Sequence, residues 1–360
     1  MLDIFSVVKT VAIGQFLLVI LLLLFAFGIK MFTYYRAAYL NALKQSIRRL
    51  MKHGIEQPAD FDLKSIMRYK KHTDILIQMI HQFDVAPVGE NWMHLRVTLM
   101  DLILIPTARV MAQSRQWYKR YLACLAFQLS SHKIDTNLIV RLINDPVPLV
   151  AMNAAIFAVN AYSQEMIDAL IDTFSQGRRV QQSLYAQIIS SAHSTIIPLV
   201  KNRLSREQDP FIKAFCYRTL TYLPSDFDVV TTVDAEIDFN LVTTVYADLN
   251  AENVDLKVAV LYYLYHFDPR ASGKVLVSHL NDAHWEVRAK SAKLLGELGD
   301  ALYAFELDKC LKDPEWWVRM NAAEALGALG EEGMLILKNQ TPDGDQYAYD
   351  AAMRVLLTKN

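Results

Sequence analysis

The chain opens on an apolar run without a break. From Thr10 to Ile29 no position is charged, and the run reads TVAIGQFLLVILLLLFAFGI. A helix of about 20 residues rises about 30 Å, the thickness of a bilayer core, so the pattern predicts a retained transmembrane helix. The competing reading is a cleaved signal peptide, whose apolar part is usually about 7–15 residues behind a basic start. Lys30 follows the Ala26-x-Gly28 pair at once, which makes a poor cleavage site. Beyond the run the period changes. Leu40, Leu43, Ile47, Leu50 and Met51 share one face of a helix expected over 37–52, with Lys44, Arg48 and Lys52 on another. Helical patterns continue to about Val110, with breaks expected at Pro58, at Pro87–Gly89 and at Pro106.

From Ser114 onward the pattern repeats. DAHWEVRAKSAKLLGELG begins at Asp282 and DPEWWVRMNAAEALGALG begins at Asp313, 31 residues later. DPVPLVAMNAA at Asp145 spells the same word, and Ser114 lies 31 residues before it. Weaker copies start near Gly177, Asp209, Asn253 and Asp343. In each unit an aspartate is expected to cap a helix start, with proline at the first helical position. Alanines let a neighbouring helix come close, and glycine ends the helix. A shorter helix precedes each aspartate. One such pair cannot bury its own apolar face, so the copies must stack.

The D-P-x-x-x-V-R and A-L-G-x-L-G elements at 282–299 and 313–330 resemble the HEAT-repeat family, in the short bacterial type named after phycobilin lyases. The resemblance implies an all-α solenoid of stacked helix–turn–helix units. It also implies that Asp282, Arg288, Asp313 and Arg319 form a structural ladder along the stack. At 145–155 the ladder arginine is replaced by Ala151. The organisation expected is a transmembrane anchor over 1–32, a basic juxtamembrane helical region over 33–110 and a solenoid over 111–360, with an acidic insertion near 224–252.

Charge adds orientation. Lys30, Arg36, Lys44, Arg48, Arg49 and Lys52 follow the apolar run with no acid before Glu56. Basic flanks stay in the cytoplasm, so the N-terminus is expected outside and the solenoid inside, at an inner membrane. Tyr34 and Tyr35 are placed for the interface. Lys44, Arg48, Arg49 and Lys52 are candidates for contact with anionic headgroups, about 1 kcal/mol per residue close to the surface; an ordinary solvated helix face is the alternative. Between Thr219 and Leu256 the charges are all acidic, including Asp226, Asp228, Asp234, Glu236 and Asp238. Insertions in solenoids map to loops on one face, and this one suits a basic partner.

Candidate chemistry is thin. Nine histidines include no His-Glu dipeptide of the kind that ligates iron in a HEAT-like hydroxylase, and no Walker or GxGxxG loop is present. The three cysteines are far apart in apolar runs. No cofactor, metal, nucleic acid or small-molecule substrate is expected. Trp117, Trp285 and Trp316 share register position three, and Tyr118 and Trp317 position four. Exposed, they would anchor a partner; buried, they would wedge under the preceding helix. The leading expectation is a membrane-tethered cytoplasmic scaffold that binds a partner protein and is not an enzyme. The runner-up is an accessory subunit of a membrane-embedded complex, such as an envelope-polysaccharide glycosyltransferase or a transporter. A bilin lyase or another HEAT-repeat enzyme is the third reading.

Overall fold

A computed structural model describes residues 4–85, 89–130, 135–177, 179–190, 196–222 and 243–359. Those residues are helical or irregular, with no strand among them. The chain divides into two compact units, Met1–His132 and Lys133–Asn360.

The first unit is built on one helix, α1 (Ile4–Glu56). Its 53 residues extend about 80 Å at 1.5 Å per residue. The boundary expected at residue 32 is therefore no break, because the apolar run passes into the basic segment within a single helix. The two ends of α1 meet different surroundings. From Ile13 to Leu24 every side chain is exposed, and Phe25, Phe27 and Ile29 are exposed too. Among the described residues of the first unit, none covers this surface. A helix that is apolar all round and bare of protein is a candidate membrane span. Leu43, Ile47 and Met51, one stripe of the same helix, are instead buried. They pack against α3 (Thr73–Val85) and α4 (Glu90–Leu99). Thus the amphipathic stripe read from the sequence holds protein. Gly54 allows the approach: a Cβ there would lie 2.7 Å from Phe61 and 3.0 Å from Leu95.

Pro58 opens a single 3-10 turn, and α2 (Leu63–Met67) follows, capped by the Asp62 carboxylate on the Lys64 amide. Pro106 does not break the chain as the sequence suggests. Helix α4 widens into a π-turn over Met100–Leu104 and runs on as α5 (Ile105–Met111). Proline has no N–H and clashes with the carbonyl four residues back; the wider turn accommodates it, with the Ile105 amide bonding five residues back to Met100. Trp92 donates to Asp84 at 2.9 Å, and Arg96 binds the same carboxylate and the Leu129 carbonyl. These bonds tie α3 and α4 to the end of α6 (Trp117–Gln128).

The second unit is a stack of helix pairs. Its first helices are α7 (Thr136–Ile143), α9 (Gln164–Ser175), α11 (Ile197–Arg206), α13 (residues 243–249), α15 (Pro269–His279), α17 (Ala304–Cys310) and α19 (Glu331–Lys338). The second helices are α8 (Pro148–Asn160), α10 (Arg179–Ser190), α12 (Pro210–Thr221), α14 (Val254–Phe267), α16 (Trp285–Leu298), α18 (Trp316–Ala328) and α20 (Gln346–Lys359). Second helices pack on second helices, α12 on α14, α14 on α16, α16 on α18 and α18 on α20. Each repeat start read from the sequence opens the second helix of a pair, the Ser114 copy opening α6 in the first unit.

Local chemistry departs from the expected cap at the strong copies. Asp145, Asp282 and Asp313 sit before the helix rather than at its cap residue, and each carboxylate accepts from the amide two residues on, at 2.9 Å. They close the turn that leads into the helix. Asp209 and Asn253 are true caps. Gly299, at φ +70°, supplies the left-handed residue that ends α16. Gly296 has no space for a side chain, since a Cβ would meet Ala325 of α18 at 2.6 Å.

Candidate interaction surface

The ladder is explicit at the strong copies. Arg288 donates through Nε and Nη2 to both carboxylate oxygens of Asp313, at 2.7 and 2.9 Å. The same guanidinium donates to the carbonyls of Asp282 and Ala283. Arg319 makes the equivalent bonds to the carbonyls of Asp313 and Pro314, but no next aspartate receives it; it lies over the ring of Tyr347 at 4.9 Å. Arg120, in the first unit, closes its own turn on Ser114 and Arg115 in the same manner. In the copies that start at Asp209 and Asn253 a lysine two positions earlier takes over. Lys257 binds Asp282 and Lys213 binds the buried Asp248, each at 2.7 Å. Tyr217 also donates to Asp248, and burial beside that carboxylate pushes its phenol well up. These groups hold successive repeats together.

The aromatic residues stand elsewhere on the same turns. Trp117, Trp285 and Trp316 are each the first residue of their helix. Trp316 and Trp317 are 43% and 55% exposed, so they do not wedge under the preceding helix. Their rings meet edge to face at 4.7 Å. Arg354 of α20 lies over Trp316 at 5.8 Å. An aromatic and cationic cluster of Trp316, Trp317, Arg319, Tyr347 and Arg354 thus spans α18 and α20. Tyr347 and Arg354 belong to the degraded last copy, where no repeat letter marked them. Trp285 is half-buried and forms part of a groove of about 820 Å³ across α14, α16 and α18, with Asp255, Glu286, Lys290 and Asn321. Burial lowers the Lys290 ammonium, which sits 4.1 Å over the ring of Tyr262. Trp117 and Tyr118 are exposed and belong to the first unit.

Of the acidic insertion, Asp226, Asp228, Asp234, Glu236 and Asp238 lie outside the described residues. Its flanking carboxylates are structural: Asp248 pairs as above, and Asp255 binds Arg218. Lys44 is half-buried, and Arg48, Arg49 and Lys52 are exposed. Arg48 donates to Gln82 at 2.8 Å. Along α1 these four lie about 22–35 Å beyond Ile29. No group of three or more metal-ligating side chains occurs among the described residues. Cys124, Cys216 and Cys310 are buried, and burial pushes the Cys310 thiol up to about 12.

A stack of helix pairs tied by an Asp–Arg ladder defines a HEAT-like α-solenoid. Residues 273–337 match the family model for HEAT repeats. The chain is similar in fold to the Escherichia coli protein YibA, at 13% identity over 75% of this chain and 98% of that one, with a TM-score of 0.36. It is also similar to the complex of CpcE and CpcF of phycocyanin lyase from a Nostoc species, at 15% identity over 70% and 91%, with a TM-score of 0.30. Human deoxyhypusine hydroxylase in complex with glycerol matches at 14% identity over 72% and 98%, with a TM-score of 0.28. No curated protein matches the chain in sequence.

Proposed function

We propose that the protein is a membrane-tethered scaffold, anchored by α1 and binding a partner protein through the second unit. The observation that carries this reading is the exposed Trp316–Trp317 pair, set among arginines on a HEAT-like stack. Aromatic and arginine side chains are the commonest anchors of protein interfaces. The bare apolar stretch of α1 supports the tether. Charge supports the orientation. Residues 1–132 carry 16 Lys and Arg against 8 Asp and Glu, while residues 133–360 carry 21 against 30. The basic unit suits an anionic cytoplasmic leaflet and the acidic one a basic partner. Asp282, Arg288, Asp313 and Arg319, the charged groups that the repeat pattern singles out, are engaged in contacts within and between repeats, which favours a binding role over an enzymatic one.

The test is a photoreactive amino acid placed at Trp317 of the full chain in its native membrane, with Glu324, exposed on the same helix, as control. A discrete protein adduct at 317 and none at 324 is expected. Adducts to lipid alone, or equal capture at both positions, would overturn the scaffold. An adduct to a membrane-embedded transferase or transporter would make the protein an accessory subunit of that complex. A reporter fused after Asn360 should read cytoplasmic; a periplasmic signal would reverse the orientation.

A further inference from the structure

Within the first unit, α1 leaves its apolar run beside an open groove of about 1030 Å³. Its floor is apolar and formed by the π-turn and α5, through Leu102, Ile103, Pro106 and Val110. Its rim is cationic, with Arg36 of α1, Lys70 and Lys71 of the turn before α3, and Lys119 of α6. One carboxylate, Asp74, stands against these four cations, and none of the four makes an ion pair among the described residues. Leu102 and Val110 are 55% and 74% exposed, so no described residue of the first unit covers this part of the apolar floor.

The height of the groove relative to the apolar run is fixed by contacts. Arg36 lies seven residues past Ile29, about 10 Å along the helix axis. Side chains on an α-helix tilt toward its N-terminus, so Arg36 leans back toward the apolar run. The headgroup region is about 5–8 Å deep outside the hydrocarbon core. Tyr39, one turn further along α1, has its ring 6.4 Å from that of His72. That contact holds the turn bearing Lys70 and Lys71 at the level of Arg36. Thr73 joins the same turn to α5, bonding the Lys70 carbonyl and the Met111 sulfur. Lys44, Arg48, Arg49 and Lys52 lie more than a Debye length farther out, which at physiological salt is about 8 Å.

We propose that this groove holds one anionic glycerophospholipid of the leaflet from which α1 emerges. Its phosphate lies among Arg36, Lys70, Lys71 and Lys119, and part of an acyl chain lies on the floor at Leu102 and Val110. Charge complementarity, the uncovered apolar floor and the position beside the emerging helix select a lipid over a soluble anion, which has no use for the floor. The inference rests on reading α1 as a membrane span.

The experiment uses the full chain in nanodiscs of phosphatidylcholine containing either a photoactivatable phosphatidylglycerol or a photoactivatable phosphatidylcholine. The phosphatidylglycerol probe is expected to label peptides covering 102–122 at least five-fold more than the phosphatidylcholine probe. Lys70→Glu with Lys119→Glu should remove most of that labelling, and Arg49→Glu should leave it unchanged. Val110→Asp, at a side chain that is largely exposed, should also reduce it. Equal labelling by the two probes, labelling confined to 10–36, or no response to these variants would overturn the proposal. So would loss of labelling on adding millimolar inorganic phosphate, which would mark a simple anion site. Resistance of the chain to carbonate extraction reports on α1 independently. An extracted chain defeats the membrane span itself, and a retained but unlabelled one defeats only the groove.

Discussion

Arg288 and Asp313 are joined by two parallel bonds, 2.7 and 2.9 Å long, across the boundary between successive repeats. Both side chains are largely buried. The pairing is the main reason the Arg288 charge is favoured further, above its ordinary value. Arg288→Met would leave the Asp313 carboxylate buried with little more than the Glu315 amide. The expected loss is about 2–3 kcal/mol. Arg288→Lys should recover less than half, because a lysine cannot bind both oxygens in a fork. The measurement is amide exchange in α16 and α18 of the full chain, since a repeat array loosens at the weakened boundary first. A lysine variant with full protection would contradict the paired geometry.

Gly296 is a second point where adjacent repeats touch. A methyl group there would lie 2.6 Å from both Cα and Cβ of Ala325, so α16 and α18 would have to part. Gly296→Ala is expected to cost about 1–3 kcal/mol despite the better helix propensity of alanine. Gly14→Ala and Gly28→Ala meet nothing within 4 Å and should not lower the melting temperature. If Gly296→Ala raised the melting temperature, the close helix approach would be wrong.

The helix starts were legible because their letters are local. Asp282 and Asp313 close a turn within two residues, and Gly299 adopts a left-handed φ that an apolar pattern ends on. The stacking of the second helices was legible from the spacing of alanines and leucines. Contacts between distant segments were not. Nothing local tells that Asp248 receives Lys213 and Tyr217, or that Arg354 comes over Trp316. Pro106 misled because a proline in a helix pattern reads as a stop, whereas a π-turn absorbs it here. The stripe of Leu43, Ile47 and Met51 has the pattern of a membrane-surface helix, and periodicity alone does not say whether lipid or protein covers an apolar face.

The cysteines give a test of the packed state. Cys124 and Cys216 are at most 1% exposed and Cys310 is 7% exposed. Burial raises the Cys216 thiol well above its ordinary range, and Cys310 to about 12. The thiolate is the reactive form, so an alkylating reagent at pH 8 should leave all three unmodified in the folded chain and modify them in denaturant. Rapid labelling of Cys310 without denaturant would show that α17 opens on its own.

Asp282 makes stability depend on pH in one direction. Burial disfavours its charge, but the Lys257 ammonium and the His284 amide outweigh that, and its carboxyl is held below the usual range. A carboxyl whose pKa is lowered by folding contributes stability in full above its unfolded value, about 3.9. The contribution fades as pH falls through the lower folded value. Asp282→Asn should therefore melt earlier than the natural chain at pH 7, and the gap between the two should narrow below about pH 4. The comparison is a pair of thermal melts of the full chain in detergent at pH 7 and pH 3. A gap that stayed constant between those values would mean that Lys257 and the turn amide do not favour the ionised carboxylate.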